Sequence, residues 1–395
     1  MDFETAYTQS VELLRQMIQT PSTSRDEQAV SDLLEDYMKR VSGMQVHRHN
    51  HNLWLIDPQY DAMRPTLLLN AHMDTVRPVA SWQHDPFCPT LEQVTLPDGT
   101  TEERLYGLGS NDDGASLVSL LHVFLMLVNE SDSRSETGSS EKDDPLPQTR
   151  NCNLIFLASA EEEVSGRNGI ESALPLLPHV DVALVGEPTG MQPAIAEKGL
   201  VVLDGVAHGK SGHAARNEGV NALYLALDAI TRLRDYRFEQ ESPTLGPVKV
   251  TVTGIQAGTV HNVIPDTCTF MIDCRTTDAY TNEQVVETLR AQLSSLDARV
   301  PNAQCPCVEL TPRSTRLQPS GIPAGHPLLR RILQLPGRQP FGSPTLSDQA
   351  LMRFPSLKMG PGQSSRSHTA DEYICLSEIR EAIHLYYEVL HDLTL

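Results

Sequence analysis

Positive charge is scarce in this chain: 31 Lys and Arg stand against 51 Asp and Glu, a formal net charge of −20. Such a field repels phosphate backbones and anionic lipid, so neither nucleic acid nor a membrane surface is expected as a partner. No apolar run is long enough to span a bilayer. The longest, Leu117 to Val128, is broken by Ser119 and His122 and is expected as a buried helix. The opening residues lack a basic stretch leading into an apolar one, so no secretory leader is expected. Cysteines number seven. None has C-x-x-C spacing, and Cys305 and Cys307 are too close together for a zinc knuckle. An odd set of thiols without a leader points to a reducing compartment, hence the cytoplasm. No internal repeat is visible. One tract, 129–150, is rich in Ser, Glu and Asp without apolar period and reads as a mobile surface insertion.

What is present is a long chain with ample core-forming material: 395 residues, 39% of them hydrophobic. That length favours two domains. Val11, Leu14, Met17 and Ile18 have helical spacing, and Pro21 closes that helix. Ser24 with Glu27 forms a capping-box pattern ahead of Val30, Leu33, Leu34, Tyr37 and Met38, a second core-facing helix. Three apolar runs follow, 66–69, 154–158 and 182–185, without the polar alternation of a half-exposed strand. Strands buried on both faces of a parallel sheet read this way. Helical patterns at 115–128 and 168–177 separate them, so the first domain is expected as a mostly parallel α/β sandwich. From 194 the pattern changes to strand (200–207), helix (219–234), two strands (248–255 and 267–274), helix (283–297) and strand (308–311). This is a β-α-β-β-α-β, ferredoxin-like order. It predicts a separate domain at 194–312 inserted within a first domain of 1–193 and 313–395.

In an open α/β sheet, ligands bind beyond the carboxyl ends of the strands. The first apolar run leads into Asn70-Ala71-His72-Met73-Asp74, the second into Glu161-Glu162-Glu163, and the third into Gly186-Glu187-Pro188. Two further segments offer donors: Gly107 to Gly114, with Asp112 and Asp113, and Gly360 to His368. Carboxylates gathered at one rim repel one another, and a divalent cation is the usual remedy. Mixed imidazole and carboxylate donors suit zinc, with cobalt or manganese as substitutes. Five such donors suffice for two ions if one carboxylate bridges them. His47, His49 and His51 alternate on one strand face and read as a solvated surface.

The motifs HMDTV (72–76), YGLGSNDDG (106–114), SAEEEVSG (159–166), VGEPTG (185–190), GKSGHAA (209–215) and GPGQSSRSHTADEY (360–373) carry a resemblance that covers nearly the whole chain in order. The sequence resembles the family of acetylornithine deacetylase, succinyl-diaminopimelate desuccinylase and related aminoacylases and carboxypeptidases, closest to the acetylornithine deacetylase branch. The resemblance implies two divalent metal ions, with His72 and Glu187 binding one, Glu163 and His368 the other, and Asp112 bridging. The family often places a lysine just after this aspartate pair, where Gly114 stands here; spacing from Gly107 and Gly109 favours Asp112 over Asp113 as the bridge. Asp74 would orient His72, and Glu162 would be the general base. His213 would reach a partner subunit's active site and steady the oxyanion. Asn262 and Arg275 would grip the substrate carboxylate. The resemblance also makes 194–312 a lid and dimerisation domain and 1–193 with 313–395 the metal-binding catalytic domain, and the implied activity is hydrolysis of an N-acyl amino acid amide in a homodimer, serving arginine biosynthesis. Alternatives are a succinyl-diaminopimelate desuccinylase, a dipeptidase or carboxypeptidase with the same metal centre, and a non-catalytic binding relative.

Overall fold

A computed structural model describes residues 1–136, 150–216, 218–299 and 306–395. The chain divides into two compact units. The first comprises 1–195, 321–341 and 347–395, and the second 196–320 with 342–346. The junctions fall at 195/196 and 320/321, where 193/194 and 312/313 are expected, and Gly342–Leu346 joins the second unit.

The first unit is built on a mixed sheet whose central strands run in the order His47–His49, Asn52–Ile56, Asn153–Ser159, Thr66–His72, Val182–Val185, Ser356–Lys358. The last four strands of this series are mutually parallel, and Asn52–Ile56 pairs antiparallel at the edge. Every residue of Thr66–His72, Asn153–Ser159 and Val182–Val185 is buried, which is why their sequences lack alternation. Helix Ala115–Glu136 packs on this sheet and between helices Phe3–Ile18 and Leu376–Leu390. The stretch Ser110–Asn129, which overlaps this helix, is long and apolar enough to cross a membrane, yet 94% of its most apolar window is buried inside the protein. A helix apolar on all sides is a core helix when the fold surrounds it, as here.

Two local expectations change. The helix Gln28–Ser42 begins at Glu27, but no side chain caps it. Ser24 Oγ instead donates to Asp74, and Glu27 accepts from the N–H groups of Arg25 and Glu161. The helix expected over 168–177 shrinks to Ile170–Ala173 followed by a 3₁₀ turn, where Pro175 lacks an N–H to continue it. The surface insertion expected at 129–150 begins as helix, since Ala115–Glu136 runs into it; 137–149 and Cys305 lie outside the described residues.

The second unit has the antiparallel strand order Lys249–Ala257, Thr267–Thr276, Gly199–His208, Val308–Pro312. Helices Ala222–Asp235 and Asn282–Leu293 cover one face. They are fixed at their starts by Asn221, which accepts from Leu223 N–H, and by a Thr281–Gln284 capping box. Strand Gly199–His208 alternates buried and half-buried residues, the mark of a sheet covered on one side.

Candidate metal centre

His72 ends its strand and is buried. Its Nδ1 lies 2.8 Å from the Asp74 carbonyl oxygen, so that nitrogen carries the hydrogen and Nε2 is left facing the site. Orientation thus runs through the Asp74 carbonyl, with the carboxylate further away at 3.6 Å. That carboxylate has another task. It accepts the backbone N–H groups of Glu162 (3.0 Å) and Glu163 (3.2 Å), fixing the turn after Asn153–Ser159 that carries both side chains. His72 Nε2 sits 3.2 Å from Asp112 Oδ1 and 3.9 Å from Glu162 Oε2.

Asp112 comes from the loop Gly107–Gly114, and Glu372 holds that loop. The Glu372 carboxylate accepts the N–H groups of Gly109, Asn111 and Asp112. Asp112 then spans the site, its second oxygen 3.7 Å from His368 Nε2. Asp113 is buried beside Ser116 and Gly186 instead, and among the described residues it belongs to neither group of converging donors. His368 Nε2 lies 2.9 Å from the Glu163 carboxylate. Glu187 follows Val182–Val185, where the chain runs so close to Gly360 that a Cβ there would lie 2.6 Å from the Glu187 carbonyl.

Donor atoms of His72, Asp112 and Glu163 lie within 4.8 Å of one another, and so do those of His72, Glu162 and Glu187. The acids bear the strain. Burial, reinforced by the Glu187, Asp348 and Glu163 carboxylates, pushes Glu162 well above the usual range for a glutamic acid. Burial and the Asp112 and Asp113 carboxylates do the same to Glu187. Burial opposes charge on His72, but the Asp112 and Asp74 carboxylates prevail and raise it well above 6.5. The Glu163 carboxylate lifts His368 to about 9. Two groups of converging imidazole and carboxylate donors, with acids that raise one another, fit divalent cations.

Residues 195–301 match the M20 peptidase dimerisation domain. Across the chain, acetylornithine deacetylase of Klebsiella pneumoniae (strain 342) is 28% identical, with 96% of this chain and 97% of that protein covered. The acetylornithine deacetylase of Shigella sonnei (strain Ss046) aligns to the same extent. Among solved structures, a tripeptidase of Staphylococcus aureus superposes with a TM-score of 0.72 at 18% identity, covering 98% of each chain. An M20 family metallo-carboxypeptidase of Sulfolobus solfataricus reaches 0.69 at 16% identity over 99% of each. The chain is a metal-dependent amidohydrolase with an M20-type dimerisation domain.

In the first unit of this amidohydrolase, one rim gathers His72, Asp74, Asp112, Glu162, Glu163, Glu187 and His368. Within the second unit, His213 and Asn262 are neighbours: strand Gly212–His213 pairs with Val263–Ile264, and Ala214 N–H donates to the Asn262 carbonyl. Both side chains are exposed. Arg275 lies at the other end of strand Thr267–Thr276, opposite Leu200, with its guanidinium paired to Asp273. From Thr267 to Arg275 the strand rises eight residues, roughly 25 Å.

Sequence reasoning missed Glu372, Asp348 and Lys358. Buried Asp348 accepts a hydrogen bond from Ser159 Oγ at 2.6 Å, and burial lifts it to about 7. Lys358 is buried in the strand before Gly360, and its ammonium restrains the rise of Glu187. A lysine within an otherwise apolar run, Leu357-Lys358-Met359, was the available signal. His47 stacks on Trp54 and belongs to no donor cluster among the described residues.

Proposed function

We propose that this amidohydrolase cleaves the amide bond of an N-acyl amino acid, releasing a carboxylate and the free amino acid. The carrying observation is the single rim where His72, Asp112, Glu163, Glu187 and His368 converge beside Glu162. The printed names of the curated relatives make acetylornithine the first substrate to try, and arginine biosynthesis the setting. His72 and Glu187 would hold one divalent ion and Glu163 and His368 a second, with Asp112 between. Zinc suits these donors, and cobalt or manganese can replace it. When bound there, two such cations would supply an acidified water and a polarised scissile carbonyl.

The protein's own groups do the rest. Glu162, whose carboxylate lies 3.9 Å from His72 Nε2 beside the donor rim, takes the proton from the attacking water and returns it to the departing amine. Asp74 keeps Glu162 in place through the backbone N–H it accepts. Arg275 grips the substrate carboxylate, joined there by Asn262 of a partner copy, whose neighbouring His213 steadies the oxyanion in a homodimer. The names of the structural neighbours favour a peptidase as the second reading.

The deciding experiment measures turnover of zinc-loaded protein on acetylornithine, acetylcitrulline, succinyl-diaminopimelate and simple dipeptides, with and without chelator. Glu162→Ala should keep both metals and lose about 10²- to 10⁴-fold in kcat. Activity indifferent to chelators, or a near-normal Glu162→Ala rate, overturns the reading.

A further inference from the structure

Beside the metal centre, in the first unit, lies a cavity of about 550 Å³ lined by Thr23, Ser24, Arg25, Val76, Arg77 and Glu163, among others. Its walls are two segments locked together. Thr75 N–H donates to the Ser22 carbonyl, Ser24 N–H donates to the Thr75 carbonyl, and Thr23 bridges Thr75. Ser24 Oγ also donates to Asp74, the residue that fixes Glu162 and Glu163. The cavity is therefore built onto the scaffold of the metal centre.

Two arginines line it, and both are exposed. Among the described residues, neither guanidinium has a carboxylate within 4.0 Å. Elsewhere on this chain of net charge −20, Arg48, Arg104, Arg275, Arg313 and Arg366 hold acids. Asp26 also lines the cavity, and Glu163 is engaged by His368. The space far exceeds what an acetyl methyl fills, and a cationic side chain such as that of ornithine would meet two like charges. A carboxylate finds two planar forks of N–H donors.

We propose that this cavity is a subsite for a second substrate carboxylate, so that the preferred substrate carries an anionic group at the end of its acyl chain or amino-acid side chain. The inference rests on the amide-hydrolysis reading and narrows its substrate. The acyl chain and the side chain are separated by comparing N-succinyl- with N-acetylornithine, and N-acetylglutamate with N-acetylornithine.

The wild type should favour a dicarboxylate member of one pair. Arg25→Gln and Arg77→Gln should each cut that preference, read as the ratio of kcat/KM values, by roughly ten- to hundredfold. Arg77→Lys should recover part of it. Equal rates on both members of each pair, or ratios unchanged in both variants, overturn the subsite. Should no amide turn over, the hydrolysis reading fails by itself. The subsite is then judged by calorimetric titration of succinate against acetate, where wild type must bind succinate more tightly and Arg77→Gln must lose the difference.

Discussion

His122 is buried in the core helix, with Nδ1 2.7 Å from the Val118 carbonyl oxygen and Nε2 2.7 Å from the Tyr37 hydroxyl. The carbonyl requires a hydrogen on Nδ1, so Nε2 accepts from Tyr37 and the ring is neutral. Burial lowers its pKa to about 4. In the unfolded chain the ring titrates near 6.5. The folded form therefore binds its proton less readily, and the stabilising contribution is fully present above pH 6.5. It declines as the pH falls toward 4, by about 3 kcal/mol in all and about 2 kcal/mol by pH 5. Urea denaturation at pH 7.5 and pH 5 should show this loss in the wild type and a shallower one in His122→Gln. Equal losses in the two proteins would refute the assignment.

The strand Tyr373–Cys375 pairs with Thr101–Tyr106, and Gly107 N–H donates to the Glu372 carbonyl at the point where those strands end. This pairing delivers the Glu372 carboxylate to three N–H groups of the loop that presents Asp112. Burial pushes Glu372 up to about 8, while the three N–H groups act to keep it charged. In Glu372→Gln an amide NH₂ replaces one acceptor oxygen and meets N–H donors. The loop should lose its fixed position, and metal affinity should fall by about 10- to 100-fold with folding retained. Metal content after dialysis and the metal concentration for half-maximal activity measure this, and an affinity equal to wild type would show that Glu372 does not position Asp112. The same elements explain how much the sequence discloses. Thr66–His72, Asn153–Ser159 and Val182–Val185 are legible because burial on both faces leaves continuous apolar runs, and the residues after parallel strands share one rim. The second unit is legible because strand and helix periods alternate cleanly through 199–312. Glu372 is not, since its partners lie about 260 residues away and no local period encodes them. Ser24 and Glu27 mislead for the same reason, a capping pattern being diverted to Asp74 and Glu161.

At the scale of the whole molecule, the second unit places its polar groups apart, His213 and Asn262 at a two-stranded ribbon separate from the four-stranded sheet that carries Arg275. His213 and Asn262 stand at the end where Thr267 begins its strand, and Arg275 at the end where Leu200 enters. Along the strand these ends are roughly 25 Å apart. In an N-acyl amino acid the scissile carbon and the α-carboxylate are no more than about 5 Å apart by standard bond lengths. A guanidinium paired to Asp273 and an imidazole at the far end are poorly placed to serve both groups from one copy. A second copy, joined through the dimerisation domain, can supply the missing end to each site. Heterodimers carrying Glu162→Ala in one subunit and His213→Ala in the other decide the matter, because each homodimer should be inactive. If His213 serves its partner, the subunit bearing His213→Ala keeps its own Glu162 and receives an intact imidazole. About half of wild-type activity should then return, one site of two. If His213 serves its own subunit, both sites are broken and the heterodimer stays inactive.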